Sequence, residues 1–203
     1  MEQEDYSKIY EYESMGKVYA GEKACISLTS WKARINTVSK TLYSLLKQCP
    51  GFHIVLVLSK DEFPHKEKDL PDNLMLFVEN KLIELFWIRP NLKSFKKWIF
   101  TSQKYPNVPI ISADDGCKYT ENFANSLYEK WKSNKDSIIS TTVISYKKYL
   151  IPVGCRGICY PPNSYIHYLK YLTNDEPLAF ALLGLLLQSQ YLNLYKFVCY
   201  RKK

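Results

Sequence analysis

Short apolar runs alternate with amphipathic stretches along this chain, and that alternation limits the possible folds more than any other feature. Residues 24–28 are apolar and run into Thr29, Ser30 and Trp31, the pattern of a strand opening into a loop. Over 35–49 the apolar residues Ile35, Val38, Leu42, Leu45 and Leu46 recur at helical spacing until Pro50 and Gly51 stop the pattern. A buried strand is predicted at 52–58, then a loop over 59–73 with room for a short helix before Leu70 and Pro71. Weaker strands are predicted at 74–78 and 85–88, a helix at 94–105, a strand at 110–114, a helix at 121–132 and a strand at 138–145. Strand and helix in alternation predict an α/β fold with a mainly parallel central sheet and helices on both faces.

The strand at 110–114 ends abruptly in the adjacent carboxylates Asp114 and Asp115, followed by Gly116. Open α/β sheets bind ligands at the carboxyl ends of their strands, so two acids there suit a divalent cation or a ribose hydroxyl. The same two residues also fit an ordinary turn, with Thr120 capping the next helix.

A length of 203 residues and a hydrophobic content of 46% suit one globular domain. The expected division is an N-terminal extension over 1–22, polar and tyrosine-rich, a folded domain over 23–192, and a basic aromatic tail over 193–203. The net charge of +8 favours an anionic partner: a nucleotide phosphate, a lipid headgroup or a nucleic acid. Nucleic acid is set aside, because the basic residues are dispersed and no helix-turn-helix, zinc-finger or RNP-type signature is present. The cysteines, at 25, 49, 117, 155, 159 and 199, show no paired zinc spacing. With no signal-peptide pattern, free thiols in the cytoplasm are expected. The longest apolar stretch, 177–187, is too short to span a bilayer.

Three further groups of residues carry candidate chemistry. Thr29, Ser30 and Arg34 offer small polar groups and a guanidinium to a nucleotide, or else form a strand-to-helix turn with Ser30 as N-cap. Lys93, Lys96 and Lys97 stand near a predicted helix start, suited to a pyrophosphate or to a solvated face. Thr173 or Asn174 can cap a last helix whose first turn holds Asp175, Glu176 and Pro177. Carboxylates there favour the helix dipole whether or not they face a pocket. His53, His65 and His167 have no partner at metal spacing, and no P-loop, serine elbow or Gly-rich dinucleotide fingerprint occurs.

Taken together, Ile26-Ser27-Leu28-Thr29-Ser30-Trp31-Lys32-Ala33-Arg34-Ile35, then Ser94 with Lys96 and Lys97, then Ser112-Ala113-Asp114-Asp115, then Gly157-Ile158-Cys159-Tyr160-Pro161-Pro162-Asn163 resemble a bacterial glycosyltransferase family. These are the A-type, nucleotide-sugar-dependent enzymes of surface-polysaccharide and lipooligosaccharide assembly, and the resemblance runs from about residue 25 to about residue 187. It implies a single Rossmann-like domain binding a nucleotide-diphosphate sugar donor. In that pattern Thr29, Ser30, Arg34, Lys97 and Asp114 bind the donor, and Asp115 holds Mn2+ or Mg2+ across its phosphates. Asp175 or Glu176 is then the general base of an inverting transfer to a glycan or lipid-linked glycan acceptor. The resemblance also implies a cytoplasmic enzyme that can rest on an anionic membrane surface through its basic tail. One position departs from the pattern. Where the family continues with a third Asp this chain has Gly116, which leaves three readings: Asp115 acting alone on the metal, weak or metal-free donor binding, or a non-catalytic relative acting as a binding or scaffold subunit.

Overall fold

In the computed structural model, which describes residues 11–48, 50–146, 149–152, 157–164 and 196–199, the fold is carried by four parallel strands. They are β2 (Ala24–Thr29), β3 (Phe52–Ser59), β4 (Glu84–Arg89) and β5 (Ile110–Asp114), in the spatial order β4-β3-β2-β5. The helices between them are α1 (Val38–Leu46), α2 (Asp72–Glu79) and α3 (Lys96–Lys104), and α4 (Phe123–Lys132) follows β5.

Side-chain alternation along each strand divides the core into two layers. Ala24, Ile26 and Leu28 of β2 and Ile54, Leu56 and Leu58 of β3 pack on one face with Val38, Leu42 and Leu45 of α1, Leu74 and Val78 of α2, and Leu127 of α4. Cys25, Val55, Val57, Phe86 and Ile88 face the other way, onto Trp98, Ile99 and Phe100 of α3. Every residue of α3 from Lys96 to Ser102 is buried. The ring of Trp98 stacks on Tyr160 with centroids 4.7 Å apart. The helices thus cover both faces, as expected from the alternating pattern.

The sheet is wider than its parallel centre. β1 (Glu11–Gly16) pairs antiparallel with β4 at one edge, so part of the region expected to be an N-terminal extension belongs to the sheet. Glu13 of this edge strand accepts hydrogen bonds from Lys60 (2.7 Å) and Lys66 (2.5 Å), which places charge along an otherwise sticky edge. On the other side β9 (Ile158–Tyr160) lies antiparallel between β5 and β6 (Ser137–Ser140), and β10 (Lys196–Cys199) runs parallel to β6. Among the described residues the eight strands therefore run in the order β1-β4-β3-β2-β5-β9-β6-β10. β7 (Val143–Tyr146) and β8 (Tyr149–Pro152) form a separate antiparallel pair.

Three local expectations are corrected. Residues 74–78, predicted as a strand, lie inside α2, which follows Pro71 and buries Leu74 and Val78 one turn apart while Leu76 stays 56% exposed. The strand predicted at 138–145 is two strands, broken where Ser140 Oγ donates to the Thr142 carbonyl (2.7 Å). The turn-rich segment near Cys159 contains β9. Among the described residues Cys25 and Cys159 are free, and no helix is long and apolar enough to cross a membrane.

Gly157 introduces β9 with φ +92°, and a Cβ built on it would meet the Phe123 ring at 2.4 Å and Leu127 at 3.1 Å. Gly157→Ala combines a left-handed backbone with overpacking, and each effect costs of order 1 kcal/mol or more. We expect it to lower the denaturant midpoint by an amount matching a loss of roughly 2–4 kcal/mol. A midpoint equal to that of the unsubstituted chain would refute this close packing of α4 on β9.

Candidate active site

The strand order reverses between β2 and β5. From β2 the chain builds outward through α1, β3, α2 and β4, then returns beneath the sheet through α3 to place β5 on the far side of β2. At such a switch point the loops leaving neighbouring strands diverge and open a crevice at the carboxyl edge. The parallel register sets Thr29 beside Asp114, so the next residues, Ser30 and Asp115, face one another across the crevice.

Asp115 is the hub of this site. Ser30 Oγ donates to its Oδ2 (2.7 Å), and Arg34 Nη1 donates to its Oδ1 (3.2 Å). The two ends of the 30–34 loop are thereby fixed to one carboxylate, which is itself only 7% exposed. The Asp115 carbonyl accepts from Thr41 Oγ1 (2.8 Å), tying the hub to α1. Ser30 does not cap a helix: α1 begins only at Val38, after a 3-10 turn over Ile35–Thr37. The buried hydroxyl has its partner across the crevice instead.

Asp114 is held differently. Its carboxylate pairs with the ammonium of Lys97, which also donates to the Ala113 carbonyl (3.0 Å), and its backbone N–H donates to Tyr119 Oη (2.8 Å). Burial pushes the Tyr119 phenol up, so it stays protonated. Lys96 and Lys97 are therefore not on a solvated face, whereas Lys93 is exposed. Lys96 is 2% exposed and bonds Glu62 (2.7 Å) and Asn91 (3.3 Å); burial pulls its ammonium down, while the Glu62 carboxylate opposes that shift. Ser27 Oγ donates to the Lys97 carbonyl (2.5 Å) and lies 2.8 Å from Thr101 Oγ1, locking α3 to β2 directly beneath the site.

Of the residues singled out in the sequence, Ser30, Arg34, Lys97, Asp114 and Asp115 come together at this edge. Thr29 reaches it too, but its hydroxyl donates to the Val57 carbonyl (2.7 Å) and so braces β2 against β3. Asp175 and Glu176 lie outside the described residues. Thr41, Glu62 and Tyr119 were missed by the sequence reading; a polar residue interrupting the buried face of an amphipathic helix, as Thr41 does between Val38 and Leu45, was the available signal. Asp115 and Gly116 also form one end of a cleft of about 1040 Å3 between α1 and the 116–121 loop, with Lys40, Lys47 and Lys118 along it.

The comparisons with known proteins agree with this architecture. No protein-family model and no curated protein matches the sequence. Among solved structures, the mannosyltransferase PcManGT from Pyrobaculum calidifontis, in complex with GDP-Man and Mn2+, aligns with a TM-score of 0.62 and 7% identity, over 95% of this chain and 58% of its own. TarS 1-349 from S. aureus aligns with a TM-score of 0.59 and 11% identity, over 89% of this chain and 58% of its own. The fold is a Rossmann-like α/β domain matching the folds of these two proteins. At these identities the likeness is one of fold, and the chain spans about three fifths of the length of both proteins.

The described residues do not fit a divalent metal. Among them no group of three His, Cys, Asp or Glu side chains is arranged so that it could hold a metal ion. Of the two acids at the site, Asp115 has a hydroxyl on one oxygen and a guanidinium on the other, and Asp114 is paired with an ammonium. Hard cations need several free oxygen ligands, and Gly116 withholds the third carboxylate.

Proposed function

We propose that this chain is a glycosyltransferase that takes a sugar from a nucleotide-diphosphate donor. The observation that carries the reading is the Ser30–Asp115–Arg34 cluster beside Lys97–Asp114 at the switch point of a glycosyltransferase-like sheet. Asp114 is half-exposed and can accept from a ribose hydroxyl, while Arg34 and Lys97 bring positive charge to the phosphates. Departure of a nucleoside diphosphate builds negative charge on its oxygens, and fixed cations stabilise that charge more in the transition state than in the ground state. Asp175 or Glu176 is proposed as the base that deprotonates the acceptor hydroxyl, giving inversion at the anomeric carbon. The proposed acceptor is a surface glycan or its lipid-linked precursor, met in the cytoplasm at an anionic membrane face.

A second reading is a binding or scaffold subunit that has lost transfer, and Gly116 is the observation that favours it. Calorimetric titration with a panel of nucleotide-diphosphate sugars separates the two. Saturable binding of one donor, followed by its acceptor-dependent consumption, is expected of the transferase. A folded chain that binds no donor would overturn the transferase reading and favour the scaffold reading.

A further inference from the structure

We propose that the guanidinium of Arg34 itself supplies the positive charge at the donor's diphosphate, so that this site binds its donor without a divalent metal. The inference rests on the donor reading above and adds to it which group meets the phosphates.

Geometry places Arg34 where the missing acid would stand. A Cβ built on Gly116 would lie 3.6 Å from Arg34 Nη1, at ordinary contact distance and without backbone strain, so the guanidinium lies against the bare face of the glycine. A carboxylate at 116 would have drawn Arg34 into a second ion pair or, with Asp115, offered two free acids to a cation. With glycine there, the arginine is held among the described residues through Nη1 alone. The Arg34 side chain remains 58% exposed although its anchor Asp115 is buried. Guanidinium carries five donors in a planar fork, so holding one of them at Asp115 orients the rest and leaves them open to phosphate oxygens.

The local charge points the same way. Lys96 is matched by Glu62, and of the remaining groups Arg34 and Lys97 balance Asp114 and Asp115. A crevice with a third acid would be net negative and would call for a dication before it could accept a diphosphate. Among the described residues these four charges cancel, and the most exposed of them is the Arg34 cation. A metal seated on Asp115 Oδ1 would have to sit beside the guanidinium or expel it.

The test is calorimetric titration of the full chain with UDP, GDP, ADP and CDP, once in excess EDTA and once in excess Mn2+. Expected is binding of one diphosphate with the same affinity in both buffers, and a loss of roughly 10- to 100-fold in Arg34→Ala, as for removal of a charged hydrogen-bond partner. Arg34→Lys should recover part of that loss, because charge is kept and the fork is not. Arg34 is exposed, so circular dichroism and melting of both variants should match the parent. Binding seen only with Mn2+, or Arg34→Ala binding as tightly as the parent in EDTA, would overturn the proposal while leaving the donor reading intact. Failure of every diphosphate and every nucleotide sugar to bind the folded chain in either buffer would overturn the donor reading and the proposal with it.

Discussion

Asp115→Ala is expected to lower sugar transfer by about 100-fold or more, the usual consequence of letting a group that meets developing charge drift by an ångström. The carboxylate joins Ser30 and Arg34 across the crevice, and among the described residues no other hydrogen bond fixes the guanidinium. Stability should fall less dramatically, by about 1–3 kcal/mol, because Ser30 is 2% exposed and its hydroxyl would be left without this acceptor. Asp115→Asn separates the two effects. The amide oxygen still accepts from Ser30, so melting should be near that of the parent, yet a neutral side chain no longer anchors Arg34. Turnover at saturating donor is the measurement to make on both variants beside their melting curves. Full turnover in a folded Asp115→Asn chain would show that the anchored guanidinium has no part in the reaction.

The parts of this fold that the sequence exposes are those where one physical period dominates. β2, β3 and β5 are buried on both faces and read as continuous apolar runs, while α1 carries Val38, Leu42 and Leu45 at helical spacing. Residues 74–78 defeat that reading because five consecutive apolar residues contain no period; only packing shows that Leu74 and Val78 are inside and Leu76 is not. β1 and β9 are hidden for another reason. One is a charged edge strand whose pairing with β4 is set by tertiary contact, and the other is three residues long between Gly157 and Pro161. At the site, the acids at a strand end and the Ser30–Arg34 loop were visible because the carboxyl ends of parallel strands are where crevices form. The Lys96–Glu62 pair and the hold of Thr41 on Asp115 join residues 34 and 74 positions apart, and no local pattern encodes such partners.

At the opposite end of the sheet, Glu84→Ala is expected to cost about 3–5 kcal/mol, the range for breaking a buried charged network by removing one member. Glu84 is 3% exposed and accepts from His53 Nε2 (2.6 Å), Lys104 Nζ (2.6 Å) and Tyr105 Oη (2.5 Å). Deleting it removes the acceptor of three donors at once. Burial alone would push this carboxyl up, but the hydrogen bonds from His53, Lys104 and Tyr105 outweigh it and hold the group below the ordinary carboxylate range. Glu22 lies nearby, with Oε1 3.7 Å from His53 Nδ1. Burial opposes its ionisation too, yet Lys17 and the Ala20 amide bring it down to about 2. Both carboxyls are therefore more acidic folded than unfolded. Their stabilisation is complete above the unfolded carboxylate value of about 4.3 and is lost as pH falls below it through the folded values, that of Glu22 being about 2. Urea midpoints measured from neutral pH downward should stay level and then drop below about pH 4.5. Glu84→Gln keeps the shape and loses the proton linkage, so its midpoint should start lower and fall less steeply. Equal slopes in parent and Glu84→Gln would assign the acid sensitivity to other carboxylates and leave Glu84 as a packing residue. The network sits where β3 and β4 begin, whereas Asp115 sits where β2 and β5 end, so its loss should lower stability without changing donor affinity in the molecules that remain folded.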